Sequence, residues 1–277
     1  MSPQTTPTGQ AAVLAVTNQK GGVGKSTTVY HLASAAVHDG LRVLAVDLDP
    51  QGNLTASLAR EVLDPQGIGV ADALSHQKAA EGIGLADVLV PGLWDGLDLA
   101  PTTADTLGGV RDELTTAGLG REKWVREALA PLREDYDLIL IDCPPALDQL
   151  SINALSAADR AVIVTQSRQW SLDGLAALLR TIDAVRTHTN PALSVAGVIV
   201  NLHEPRTAAG QHWLDELAEV APARGLPLLS PPIPKRALIA DAVETGTSLH
   251  ESRSARTREI ADLYTDHLHT LTGRTTA

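Results

Sequence analysis

The stretch VTNQKGGVGKSTT, residues 16–28, decides the reading of the fold. It follows the apolar run AAVLAVT (11–17) and opens the helical pattern STTVYHLASAAVHDG, which stops at Gly40. Strand, glycine-rich turn and helix in that order are the context in which KGGVGKST is a phosphate-binding loop. Gly21, Gly22 and Gly24, with Val23 between them, let backbone N–H groups turn inward onto phosphate oxygens. The helix start at Ser26 and Thr27 adds a favourable field. Lys25 is placed to reach β- and γ-phosphates, and the Ser26 hydroxyl to ligate Mg²⁺. ATP and Mg²⁺ are therefore the expected cofactors. Lys20, five residues before Lys25, is not needed by an ordinary loop of this kind.

Outward from the loop, the apolar runs RVLAVDL (42–48), LDLAP (97–101), DLILID (137–142), RAVIVTQ (160–166), SVAGVIVN (194–201) and LPLLS (226–230) read as further strands. They are continuous rather than alternating, as in parallel strands buried on both faces. REKWVREALAPL, SLDGLAALLRTIDAVRTH and AAGQHWLDELAEVAPARG read as helices between them. The expectation is an α/β fold, a doubly wound and mostly parallel sheet flanked by helices, with ligands beyond the C-terminal strand ends. Residues 1–10 read as a short polar tail and 11–277 as one domain. Residues 60–95 are the least regular part.

Two acidic positions fall where a nucleotide-bound metal would lie. VLAVDLDPQGN carries Asp47 and Asp49; LILIDCPP carries Asp142. A carboxylate after an apolar strand is the Walker B arrangement, holding Mg²⁺ directly or through water, and Asp47 and Asp142 are its candidates. Alternation puts Asp47 and Asp49 on one face if the strand extends that far. Asp49, nearer the loop, is better placed to orient an attacking water.

Bulk composition narrows the classes. Hydrophobic residues make up 44%, with no Phe and only 3% aromatics, so aliphatic side chains must fill the core. Cys143 is the sole cysteine, which excludes an intrachain disulfide and a cysteine-cluster metal site. No signal peptide or long apolar span is read, so a cytoplasmic protein is expected. A net charge of −11 argues against a general nucleic-acid binder but leaves room for a local basic patch.

The ordered set NQKGGVGKSTT, VLAVDLDPQGNLT, YDLILIDCPPAL and INALSAADRAVIVTQ resembles the ParA family of partition ATPases, whose deviant Walker A motif is KGGxGK[ST]. The resemblance runs over residues 11–268. With no helix-turn-helix segment before the loop, it is to the short, Soj-like form. It implies that Lys20 crosses a dimer interface to phosphates bound by the other subunit. A cation supplied in trans neutralises charge that develops in phosphoryl transfer and couples ATP to a homodimer. It further implies nonspecific DNA binding by the dimer, with Arg206, Lys235, Arg236, Arg253 and Arg256 as candidate contacts. A ParB-like centromere-binding activator would insert a basic segment at the interface. Family members usually carry IPRNVRLSEA; here IPKRALIADA keeps a cation at Lys235 but has Leu238 at the second arginine's place. Asn201, ending GVIVN, is a candidate for hydrogen bonding to the base, with Pro232 and Pro234 packing beside it.

Other classes are weighed on the same residues. A MinD-like membrane positioner needs a basic amphipathic C-terminal helix with bulky apolar residues, which REIADLYTDHLHTLTGRTTA lacks; no membrane partner is expected. A metabolic ligase can use the same deviant loop. A nitrogenase-iron-protein-like reductase needs cluster cysteines, and a tyrosine kinase a C-terminal tyrosine cluster. A ParA-like ATPase serving a non-DNA cargo remains the alternative to DNA partition.

Overall fold

The strand runs of the sequence assemble into one seven-stranded sheet. The computed structural model describes residues 10–77, 81–103, 106–167 and 172–274; the expected tail, apart from Gln10, lies outside them. Along the chain come β1 (Ala12–Thr17), α1 (Lys25–His38), β2 (Val43–Asp47), α2 (Asn53–Leu58) and α3 (Val70–Leu74). The edge hairpin follows, β3 (Val90–Pro91) and β4 (Leu97–Ala100), then α4 (Thr106–Thr116) and α5 (Trp124–Leu129). The second half comprises β5 (Leu138–Asp142), α6 (Gln149–Ala157), β6 (Arg160–Gln166), α7 (Leu172–His188), β7 (Ser194–Asn201), α8 (Ala208–Ala223), α9 (Ala237–Glu244) and α10 (Ala255–Thr272).

The sheet order is β3-β4-β2-β5-β1-β6-β7. Every pair is parallel except the edge pair β3–β4. The chain moves one way from β1 to β2 and β4, and the other way from β5 to β6 and β7. The order therefore reverses around β1, the strand that feeds the glycine-rich loop, and this is where a doubly wound sheet opens a crevice.

Alternation along each strand builds two apolar layers. Val13, Ala15, Leu44, Val46, Ile139, Ile141 and Ile163 face one layer, closed by Leu107, Leu150, Leu155, Leu178 and Leu217 from the helices. Leu14, Val16, Val43, Leu138, Leu140, Val162 and Ile199 face the other, closed by Val29, Leu32, Tyr264 and Leu268 of α1 and α10. All of these are buried, so both faces are covered, and this is why the strands read as unbroken apolar runs.

Three expectations are corrected. LPLLS is not a strand: Leu228 makes only an isolated parallel bridge to Val198. Val198 donates to the Pro227 carbonyl at 2.7 Å and Leu229 to the Val198 carbonyl at 2.9 Å. Pro227, Pro231 and Pro232 lack the N–H groups a longer ladder needs. The strand of Val43–Asp47 ends at Asp47, so Asp49 lies in the following turn and not on a shared strand face. REKWVREALAPL is helical throughout but not one helix: α5 is flanked by 3-10 turns at Arg121–Lys123 and Ala130–Leu132.

Candidate nucleotide site

The glycine-rich loop joins β1 to α1 at the C-terminal edge of the sheet. Gly22 (φ 72°) and Gly24 (φ 88°) adopt the left-handed conformation that glycine tolerates best. Gly24 caps α1, and both the Thr28 N–H (2.9 Å) and hydroxyl (2.7 Å) donate to its carbonyl. A Cβ on Gly24 would run into the Asn201 amide nitrogen. Gly21 and Gly22 are exposed and Val23 is buried, so the loop is anchored by its middle.

The two lysines have different settings. Lys25, the first residue of α1, is 6% exposed, and among the described residues it has no ion pair. Lys20 is exposed on the loop's rim, its N–H donating to Asn18 Oδ1 at 3.0 Å. Ser26 and Thr27 lie half-buried in the first turn.

Asp47 and Asp142 sit opposite each other, in register, on β2 and β5. Asp47 is fully engaged. It accepts from the Thr55 N–H (2.8 Å), the Thr55 hydroxyl (2.7 Å) and the Asp49 N–H (3.1 Å). Thr102 completes this network, its hydroxyl donating to the Asp47 carbonyl at 2.8 Å and its N–H to Thr55 Oγ1 at 2.9 Å. Asp47 is thus committed to shaping the β2–α2 turn. That turn carries Asp49, 6% exposed, whose Oδ1 accepts from Gln51 N–H at 3.0 Å.

Asp142 is the opposite case. It is fully buried, and neither carboxylate oxygen has a hydrogen-bond partner of ordinary geometry. Burial pushes the Asp47 carboxyl up to about 6. Burial, and then the neighbouring Asp47 charge, push Asp142 well above the usual carboxylate range, with Ser26 and Lys25 pulling the other way. Two carboxyls sharing a dry site cannot both be charged without a cation. An orphaned buried carboxylate beside Ser26 and Lys25 fits a nucleotide-bound Mg²⁺, which keeps most of its waters and takes few protein ligands. Ser26 and Asp142 would hold it, directly or through water. When bound, it would neutralise phosphate charge.

The other expected residues are placed as follows. Asn201 is 1% exposed; its Nδ2 donates to the Val23 carbonyl at 3.1 Å and its Oδ1 accepts from Leu202 N–H at 2.8 Å. Its polar atoms are thus turned to the loop and its own backbone. Pro232 and Pro234 are half-buried beside the end of β7, where His203 and Pro234 form an isolated bridge. That bridge brings Lys235 to Glu204, with Nζ–Oε1 2.7 Å. Arg206, Arg236, Arg253 and Arg256 are exposed and, among the described residues, make no ion pair. Arg206 precedes α8, Arg236 caps α9, and Arg253 and Arg256 stand at the start of α10.

The sequence reading missed Asn18, Gln166, Thr55 and Thr102. Asn18 and Gln166 could have been found as amides at the C-terminal ends of strands flanking the loop. Thr55 and Thr102 join Asp47 only through tertiary packing, which leaves no local pattern.

Against known proteins, residues 11–195 match the family model described as an AAA domain. The chain is 37% identical over 205 residues to the sporulation initiation inhibitor protein Soj of Bacillus subtilis, covering 74% of this chain and 78% of that protein. It is 37% identical over 198 residues to the chromosome-partitioning ATPase Soj of Thermus thermophilus, covering 72% of each. Among solved structures, cobyrinic acid a,c-diamide synthase from Mycobacterium smegmatis, bound to an ATP analogue and magnesium, aligns with TM-score 0.74. Its identity is 35%, covering 91% of this chain and 93% of that one. An ATP complex of a Cyanothece McdA variant aligns with TM-score 0.83 over 97% of this chain and 98% of that one. At 22% identity it bears on the fold alone.

Proposed function

The chain belongs to the Soj/ParA family of ATPases, and from that premise we propose that it is a DNA-partition ATPase that dimerises on Mg-ATP. The observation that supports this best is the division of labour between the two lysines. Lys25 is buried at the start of α1, whereas Lys20 is exposed on the loop's rim, where a second subunit can meet it. In the dimer each Lys20 neutralises phosphate charge in the other subunit's site, so the closed site forms only with ATP and two chains. Asp49 orients the attacking water, its turn fixed by the Asp47–Thr55–Thr102 network. Pro232 and Pro234 contribute to the adenine pocket by packing, while the amide of Asn201 beside them is engaged with the loop rather than free for the base. A ParB-like partner accelerates hydrolysis to ADP and phosphate, and the protein acts in the cytoplasm on nucleoid DNA. Residues 11–277 act as one domain.

Nonspecific DNA binding uses Arg206, Lys235, Arg236, Arg253 and Arg256. Lys235 must leave Glu204 to contribute. With about three contacts per subunit, a dimer makes on the order of six, and log affinity falls with log salt with a slope of roughly −5. Fluorescence anisotropy on two unrelated duplexes tests this, at two salt concentrations, with ADP and with a slowly hydrolysed ATP analogue. The expected result is binding only with the analogue, equal for both sequences, and weakened by Arg236→Glu. Equal binding with ADP and analogue removes the ATP gate. No binding by a confirmed dimer moves the protein to a non-DNA cargo.

Two other readings have less support. The apolar face of α10, with Ile260, Leu263, Tyr264, Leu268 and Leu271, is buried against the sheet and α1, leaving none of it for a membrane surface. Amide synthesis, the activity in the name of the diamide synthase, needs a nitrogen donor. Among the described residues the one cysteine, Cys143, is buried, and burial pushes its thiol up, so it lends that reading no support.

A further inference from the structure

We propose that three side-chain carboxamides, Asn18, Gln166 and Asn201, are positioning residues that hold the phosphate loop in its anion-receiving shape; this rests on the nucleotide reading above and deepens it. A loop that turns its N–H groups inward must turn its carbonyls outward, and those carbonyls need donors. Gln166 Nε2 donates to the Gly22 carbonyl at 2.6 Å. Asn201 Nδ2 donates to the Val23 carbonyl at 3.1 Å and reaches that of Gly24 at 3.5 Å. Asn18 grips the loop's entry: its Oδ1 accepts from Lys20 N–H at 3.0 Å while its Nδ2 donates to the Val164 carbonyl at 2.7 Å.

The three amides stand in a row because of the strand order. Asn18 follows β1, Gln166 ends β6 and Asn201 ends β7, three neighbouring parallel strands, and Gln166 pairs in register with Asn201. The sheet therefore presents a fixed edge of amides to a loop that is rich in glycine and otherwise free to flip its peptide groups. The residue type follows from the chemistry. A carboxylate has no donor for an outward carbonyl and adds negative charge near the phosphates. An amide donates with one atom while the other is used locally. In Asn201 the Oδ1 atom accepts from Leu202 N–H, at a residue with φ 52°, and this fixes which end of the amide meets the loop. The same packing explains why Gly24 admits no side chain.

Holding the loop before the ligand arrives removes part of the ordering cost of binding. The effect falls on every nucleotide that fills the loop, ADP and ATP alike. It falls on KM rather than kcat, because the filled loop is the same in ground and transition states. Gln166→Met keeps the side chain's shape and removes the donor; Asn201→Asp keeps the shape and reverses the interaction. Affinity for fluorescent ADP and for a slowly hydrolysed ATP analogue, with Tm of the free protein, tests the proposal. For Gln166→Met the expected result is about tenfold weaker binding of both nucleotides, raised KM, unchanged kcat and unchanged Tm. Asn201→Asp weakens binding further; if it does not fold, Gln166→Met decides alone. Wild-type affinity in Gln166→Met overturns the proposal, as does a weakening matched by a fall in Tm. If the wild-type protein binds neither nucleotide, the nucleotide reading itself fails and takes this inference with it.

Discussion

Asp47 and Asp142 are the same residue type, on adjacent strands, in register, both buried. The difference between them is what each touches. Asp47 spends its oxygens on Thr55 and the Asp49 N–H, whereas both Asp142 oxygens are left without a partner. Removing a satisfied acceptor strands its donors, while removing an orphaned one strands nothing. Asp47→Ala should therefore cost about 3 kcal/mol of stability in the free protein. Asp142→Ala should leave the free protein within about 1 kcal/mol of wild type, or more stable, because the wild-type carboxyl is buried without a hydrogen-bond partner of ordinary geometry. Both should lose Mg-dependent nucleotide binding. Chemical denaturation of the free variants checks the pair; an Asp142→Ala protein as destabilised as Asp47→Ala would show that Asp142 is a structural residue.

At the scale of elements, the C-terminal helix α10 is fastened to α1 by aromatic packing. His31 stacks on Tyr264 with centroids 4.7 Å apart, meets Tyr30 edge-on at 5.1 Å, and its Nε2 lies 3.1 Å from the Ile239 carbonyl. Burial lowers the His31 pKa from 6.5 to about 4, and burial lowers that of His267 on α10 to about 4 as well. The unfolded chain then binds more protons than the folded one between those values. Stability from this source is complete above pH 6.5 and is lost as pH falls towards 4, on the order of 3 kcal/mol for His31. Urea unfolding at pH 7.5 and pH 5 should show the loss, and His31→Phe should flatten the slope. A variant with the wild-type slope would place the pH dependence elsewhere.

The same scale shows what the sequence could reveal. β1, β2, β5, β6 and β7 were legible to within a residue at either end, because a strand buried on both faces is written as an unbroken apolar run. α1 was legible from its glycine entry and from Gly40, which follows its last turn. α2, α3 and β3 were not, since helices of six and five residues and a two-residue strand are too short for a period to show. LPLLS misled because its apolar content was right while its prolines denied it a ladder. In the candidate site, the positions of Lys25 and Ser26 at the start of α1 and of Asp142 at the end of β5 were readable, because the motif fixes such residues to the ends of strands and helices. Asn201 was readable as the end of β7, but its attachment to the loop carbonyls was not, because that depends on β7 lying two strands from β1.

Over the whole molecule, a net charge of −11 surrounds a few exposed arginines. A single subunit would hold DNA weakly, and two held together would hold it far better, since phosphate contacts multiply when they are tethered. Among the described residues no helix is long and apolar enough to cross a membrane. The proposed function thus turns on assembly: it assigns the exposed Lys20 to a phosphate bound by another subunit. The most direct test is the molar mass, by sedimentation, of wild type and Lys20→Gln with Mg-ADP and with a slowly hydrolysed Mg-ATP analogue, nucleotide occupancy being measured in the same samples. The account predicts a wild-type monomer with ADP, a dimer with the analogue, and a Lys20→Gln protein that binds the analogue yet dimerises at least tenfold more weakly, as expected for loss of a desolvated charge contact. A wild-type protein that stays monomeric with the analogue bound, or a Lys20→Gln protein that dimerises as wild type does, would contradict it.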